Sequence, residues 1–216
     1  GVADFNGSAV ITVSVTDGEY SDSDSFILTI NAVNDAPIIE LVSDQTIDED
    51  ETFLYTLSAS DVDLDTLIFS ASSDNDNVIA TVDGSNLSVL GVADFNGSAV
   101  ITVSVTDGEY SDSDSFTLTI NAVNDAPVLS LIPNQTINED ETFSYLIEAS
   151  DVDLDALYYS ATVDGNGSVS TNGNQLTINP DLNFYGSIEV NVTVTDTQLT
   201  DSQTFTLTVN AINDAP

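Results

Sequence analysis

Residues 98–107 read SAVITVSVTD, with Ile101, Val103 and Val105 alternating against Thr102, Ser104 and Thr106. A period of two with one apolar face describes a half-buried β-strand. Working outward, SFTLTIN at 115–121 places Phe116, Leu118 and Ile120 on one side, and TFSYLIEAS at 142–150 does so with Phe143, Tyr145, Ile147 and Ala149. Shorter candidates follow at Val128–Ile132, Ala156–Ala161, Ser168–Thr171 and Gln175–Ile178. Turn pairs separate them: Asp83-Gly84, Asp107-Gly108, Asp164-Gly165 and Asn172-Gly173. No stretch carries a helical period. About seven short strands, each with one apolar face, in roughly 90 residues predict a two-sheet sandwich.

The same residues recur. Positions 1–37 match 91–127 except for Ile27 against Thr117, an offset of 90 residues. DQTIDEDETFLY at 44–55 returns as NQTINEDETFSY at 134–145, and ASDVDLD recurs at 59–65 and 149–155. TINAVNDAP at 29–37 and 119–127 reappears as TVNAINDAP at 208–216. Long-period self-similarity marks a modular array. The natural units are therefore 38–127 and 128–216, preceded at 1–37 by the C-terminal part of another unit, which reads as a piece of a longer chain.

Composition narrows the function. The chain has 37 acidic residues and no Lys, Arg or His, so its formal net charge is −37. Phosphate backbones and anionic lipid surfaces repel such a chain, so neither nucleic acid nor membrane insertion is expected. Without cysteine there are neither disulfides nor thiolate metal sites, and without lysine no Lys–Asn cross-link. Imidazole bases, thiol nucleophiles and Schiff-base amines are all missing. The acids recur at turns in every unit, which suits a periodic structural role, and the chain is read as not an enzyme.

Most acids cluster at three kinds of place. One is an early turn, Asp48–Glu51 and its echo Asn138–Glu141; another is the loop with Asp61, Asp63, Asp65 or Asp151, Asp153, Asp155. The third is the terminal linker: Asn34 and Asp35, Asn124 and Asp125, Asn213 and Asp214. Wet loops favour acids in any case. Three carboxylates at D-x-D-x-D spacing nevertheless repel one another, and a hard divalent cation taking six to eight oxygens reverses that. Oxygen donors without His or Cys point to Ca²⁺ ahead of Mg²⁺ and away from zinc. An EF-hand is excluded: Ala156 and Thr162 stand where that loop needs Gly and Glu, as do Thr66 and Ser72 in the other copy. Ligands must then converge from separate loops.

VNDAP closing an alternating strand, an acidic turn early in the next unit, DVD after the second strand and VTD near the last strand together resemble the cadherin repeat. They are closer still to the bacterial cadherin-like, tandem-95-type repeats of large secreted or surface adhesins. The resemblance implies an all-β chain of tandem Ig-like/cadherin-like β-sandwiches with calcium at successive junctions. Carried over, the later junction takes Glu49 and Asp94 upstream, Asn124 and Asp125 in the linker, and Asp151, Asp153 and Asp196 downstream. The earlier one takes Asp4, Asn34, Asp35, Asp61, Asp63 and Asp107. The pattern departs from cadherins at Ala36, Ala126 and Ala215 in the linkers, at neutral Asn96, and at Asn183 in the place of Asp94.

The leading functional expectation is a calcium-stabilised spacer in a large extracellular bacterial adhesin or fibre-forming surface protein. Its partners are adjacent repeats of the same protein, and identical chains in addition. Two alternatives stay open: a homophilic or carbohydrate-binding adhesion module, with Tyr20 and Tyr110 as candidate exposed rings, and a filament subunit completed by strand exchange.

Overall fold

The computed structural model describes residues 4–213; Asp214 and Ala215 of the last linker lie outside them. The chain divides into two compact units, Gly1–Ala122 and Val123–Pro216. Every helix or strand among the described residues is a strand, and no helix is long and apolar enough to cross a membrane.

The first unit opens with a hairpin, β1 (Gly7–Thr16) and β2 (Ser21–Ile30), that forms a two-stranded sheet by itself. A sandwich follows: β3 (Ile38–Ile39), β4 (Gln45–Asp48), β5 (Thr52–Thr56), β6 (Ala59–Ser60), β7 (Ile68–Ser73), β8 (Val78–Asp83), β9 (Asn86–Gly91), β10 (Gly97–Thr106) and β11 (Ser111–Asn121). One sheet runs β4-β11-β10-β7 and the other β5-β9-β8, with the short pair β3-β6 beside them. The second unit repeats the plan with β12 (Val128–Leu129), β13 (Gln135–Asn138), β14 (Phe143–Leu146), β15 (Ala149–Ser150), β16 (Tyr158–Val163), β17 (Gly167–Asn172), β18 (Gln175–Pro180), β19 (Gly186–Thr195) and β20 (Thr200–Asn210).

The period-two reading places the core correctly. Ile101, Val103, Val105, Phe116, Leu118 and Ile120 are at most 2 % exposed. They pack against Leu57, Val78, Leu87 and Val89, and each such side chain contributes about 1.5–3 kcal/mol when removed from water. Phe116 meets Phe53 of the facing sheet with ring centroids 5.8 Å apart. Tyr159 packs on the second core while its neighbour Tyr158 faces solvent.

Two sequence expectations need correcting. The run 142–150 is one continuous face but two strands: β14 pairs with β18, whereas β15 pairs with β12. The break at Ile147 and Glu148 is held by Ile147 N–H donating to Asn174 O at 2.8 Å, and it lets the chain change sheets. A strand absent from the candidates, β4, leads into the acidic turn Asp48–Glu51 and runs parallel to β11 with Ile47 beside Ile120.

The acids do not all avoid strands. Asp112 and Asp114 lie within β11, and their Oδ2 atoms accept the N–H groups of Ile39 and Val42, each at 3.0 Å. Asp44 accepts from Thr117 N–H and Asp74 from Val100 N–H, both at 2.7 Å. Carboxylates thus satisfy amides of strand and loop residues that the ladders leave without a backbone acceptor. This is part of how so anionic a chain holds together without a single cationic side chain. In the second unit Gln203 does the work of Asp114, accepting from Ile132 N–H at 2.5 Å, and Asn134 that of Asp44. An acceptor is therefore required at these positions and a charge is not. Asp114→Ala is expected to cost about 1–2 kcal/mol, while Asp114→Gln stays within about 0.5 kcal/mol of the parent, as read from urea unfolding.

Candidate metal centre

The loop DVDLD begins from one carboxylate. Asp61 Oδ1 accepts the N–H of Asp63 at 2.9 Å and of Asp65 at 3.3 Å, folding the loop back on its first residue. The turn is tight enough that Leu64 takes a left-handed φ of 64°, a conformation uncommon for such a residue. One oxygen from each of Asp61, Asp63 and Asp65 ends up within 4.8 Å of the others. Two charges about 4 Å apart repel by about 1 kcal/mol in bulk water and about 4 kcal/mol near a protein surface. The second unit repeats the turn: Asp151 Oδ1 accepts from Asp153 and Asp155 at 3.0 and 3.3 Å, with Leu154 at φ 63°.

Each linker is bound to the sandwich that follows it. Asp35 N–H donates to Asp63 Oδ2 at 2.7 Å, and Asp125 N–H to Asp153 Oδ2 at 2.8 Å. The Asn34 amide donates to Asp107 Oδ2 at 2.9 Å, and that of Asn124 to Asp196 Oδ2 at 2.8 Å. The other oxygen of Asp107 accepts from the Glu109 and Tyr110 amides, each at 2.7 Å. Asp196 does the same with Gln198 and Leu199. Pro37 and Pro127 are buried at the start of each sandwich, where the fixed φ of proline limits slack.

These contacts set the acidity. The Tyr110 amide, followed by those of Glu109 and the Asn34 side chain, holds the Asp107 carboxyl below the usual 3.8. For Asp196 the Asn124 amide leads, followed by that of Leu199. A folded-state value below the unfolded one stabilises the fold above 3.8, and this is lost as pH falls through the lower folded value. The stability difference between parent and Asp107→Asn is therefore expected to be constant near neutral pH and to shrink under acid, checked by urea melts at stepped pH.

Each unit gathers one set of the candidate residues within itself. Asn34, Asp35, Asp61, Asp63 and Asp107 come together, and Asp4 joins Asp35 and Asp63 along an open cleft of about 290 Å³ in the first unit. Asn124, Asp125, Asp151, Asp153 and Asp196 repeat the arrangement in the second. Glu49 and Asp94 lie at two turns of the first unit, Glu49 after β4 and Asp94 between β9 and β10. Glu49 is 6 % exposed and its N–H donates to Asn121 O; Asp94 N–H donates to Asp50 Oδ1 at 3.3 Å. In the second unit Glu139 is buried likewise, and its carboxylate accepts the N–H of Ile212.

The exchange of Asp94 for Asn183 has a conformational reason. These residues sit at φ 57° and 58°, and Asp4 at 60°. Left-handed backbone at a non-glycine favours a short polar side chain, which Asp and Asn share. Asp65 is a member that the candidate set lacked, although the D-x-D-x-D spacing signalled it.

The donor set suits a hard cation. It is all oxygen, it is crowded, and Asp61 Oδ2 and Asp151 Oδ2 are buried with no hydrogen-bond partner. A buried carboxylate oxygen without a partner is costly. Two such atoms at equivalent positions of two units mark a built feature.

The sequence pattern of a bacterial Ig domain matches twice, over residues 34–121 and 124–208. The chain belongs to the bacterial Ig domain family. Both matched Ig segments include their own linker Asn and Asp or begin at that Asn, in line with the hydrogen bonds above. The tandem-95 type is not distinguished by this match. No curated protein matches the chain. Among solved structures, the Ig tandem is similar to the human desmocollin-1 ectodomain at TM-score 0.48 and 13 % identity, over 96 % of this chain and 47 % of that one. Human protocadherin-24 EC1-2 aligns at 0.48 and 17 %, over 84 % and 100 %. An endo-fucoidan hydrolase of glycoside hydrolase family 107 aligns at 0.36 and 16 %, over 97 % of this chain and 34 % of its own length. The chain thus spans about a third of that first hydrolase and about half of the desmocollin.

Proposed function

We propose that these Ig modules are calcium-stabilised spacer repeats of a larger extracellular bacterial adhesin or fibre-forming surface protein. Their bounds are 38–127 and 128–216, with 1–37 the C-terminal part of a further module. The observation that carries the reading is the partnerless buried oxygen of Asp61 and of Asp151, each set among carboxylates that no cationic side chain can balance. Calcium accepts six to eight oxygens in flexible geometry, which the loop and linker donors supply. Asp61, Asp63, Asp65, Asp35 and Asp107 would hold it in the first unit, with Asp4 contributing from the cleft. Asp151, Asp153, Asp155, Asp125 and Asp196 are their counterparts in the second. Glu49 and Asp94 are retained as carboxylates that complete a shell from the preceding module.

The linker is already docked on its sandwich by amide–carboxylate hydrogen bonds, so calcium would tighten an existing arrangement instead of creating one. Repeats joined this way suit a role in projecting or spacing. Small-angle scattering tests it. With millimolar calcium the curve is expected to fit a single conformation, and in chelator to need a distribution. Superimposable curves would remove calcium as the stiffening agent.

A further inference from the structure

The hairpin β17–β18 turns at residues 172–175, which begin with the pair Asn172-Gly173. Asn172 and Gln175 form the last rung of the ladder, so Gly173 and Asn174 make the loop between them, with Gly173 at a left-handed φ of 57°. An asparagine before a glycine can close on its own backbone. The glycine nitrogen is the nucleophile and the side-chain amide carbon the electrophile, and closure sets an oxygen of the new ring beside the glycine Cα. Glycine leaves room for that oxygen, provided that the surrounding structure leaves room too.

Four Asn-Gly pairs occur among the described residues, and they differ in that room. Gly7 and Gly97 stand opposite Ile30 and Ile120 in ladders, and the ring of Phe5 or Phe95 lies 3.6 or 3.1 Å from where a Cβ would be. Gly167 is more crowded, with Asn179 O at 2.8 Å from that point, and Asn166 O is tied to the Asp181 N–H at 2.9 Å. At Gly173 nothing beyond its chain neighbours lies within 4 Å of the same point, and Asn172 is exposed. The first module makes the equivalent turn with Asp83-Gly84, Gly84 standing at φ 62° in the same open space. An aspartate thus already occupies this place in a folded module. We propose that Asn172 is a modification site, deamidated spontaneously through a cyclic imide formed with Gly173.

Hydroxide takes the Gly173 amide proton, and the nitrogen attacks Asn172 Cγ. The bond from Cγ to the side-chain nitrogen breaks, and ammonia leaves with a proton drawn from water. Water then opens the imide. Entry at the side-chain carbonyl gives aspartate, the residue of the first module; entry at the main-chain carbonyl gives isoaspartate, whose backbone runs through Cβ. Both products add a negative charge, and isoaspartate also lengthens the main chain by a methylene. The longer chain displaces Asn174, whose carbonyl accepts the Ile147 N–H at 2.8 Å and whose side-chain amide donates to Ile147 O at 3.0 Å. Those bonds hold the break at which the chain changes sheets, so isoaspartate loosens the second module where aspartate does not.

The test ages the full 216-residue chain in mildly alkaline buffer and follows each Asn-Gly pair by peptide mapping, with isoaspartate counted by a protein-isoaspartate methyltransferase. Deamidation at Asn172 is expected to run at least about tenfold faster than at Asn6, Asn96 and Asn166, which react only when their packed surroundings open. In concentrated urea the four rates are expected to converge, because only local sequence then acts. Asn172→Gln is expected to stop the reaction at this position, since closure there needs a larger ring. The aged parent is expected to unfold its second module at lower urea than Asn172→Asp. Equal rates at the four pairs in the folded chain, a faster pair among the other three, or a ranking unchanged by urea would overturn the assignment. Equal unfolding midpoints for the aged parent and Asn172→Asp would overturn the loosening by isoaspartate.

Discussion

Leu118→Ala is expected to lower the unfolding free energy of the first sandwich by about 3 kcal/mol, within the range for emptying a core leucine site. Leu28→Ala, the same change in the same local sequence, is expected to cost less than about 0.5 kcal/mol. The contrast follows from surroundings alone. Leu118 is fully buried between two sheets, while Leu28 remains 46 % exposed on a sheet with no second layer. Stepwise urea melts resolve it. Equal costs at the two positions would mean that the hairpin's apolar face is covered in solution.

That pair of leucines also shows what the sequence could and could not disclose. Alternation identifies which face of SAVITVSVTD is apolar, because side chains on a strand point alternately to opposite sides. It does not by itself reveal whether the facing layer is present; the 90-residue offset does, by assigning 1–37 to the last part of a unit. Strands β4 and β13 escaped because DQTID and NQTIN carry a single apolar residue each, Ile47 and Ile137. Their placement is decided by parallel pairing with a strand more than 70 residues later. The acids of β11 carry no apolar alternation to announce them: within SDSDS, Asp112 and Asp114 are amide acceptors inside a long strand. For the candidate site, spacing is informative where the carboxylates are local, as in DVDLD, whose three oxygens lie within 4.8 Å of one another. It carries no such information at Asp94, a residue at φ 57° whose partners come from other loops.

Asp61→Asn is expected to act in opposite directions with and without calcium. In chelator the change removes one of three carboxylates whose oxygens lie within 4.8 Å of each other. The Asn oxygen can still accept from Asp63 and Asp65, and its amide replaces an oxygen that now lacks a partner. Metal-free stability should therefore rise by about 1 kcal/mol, the scale of one close like-charge pair in a well-solvated loop. In saturating calcium the parent gains stability by ligand linkage, about 4 kcal/mol at a thousand times the dissociation constant. The variant, short of one charged ligand, should gain far less. Thermal melts of both proteins in both conditions give a crossing of the ranking. Parallel behaviour would show that Asp61 has no part in holding a cation, and a uniform loss would show a purely structural role for its loop.

The most direct measurement is a calorimetric titration of the chain with calcium at constant ionic strength, paired with the same titration into Asp61→Asn, Asp151→Asn. The proposed clamp of loop and linker carboxylates predicts saturable heat for the parent, a weaker response to magnesium, and loss of the saturable phase in the double variant. Heat that scales with ionic strength alone, the same for calcium and sodium and unchanged by the two substitutions, would contradict it: the carboxylates would then be screened and not coordinated.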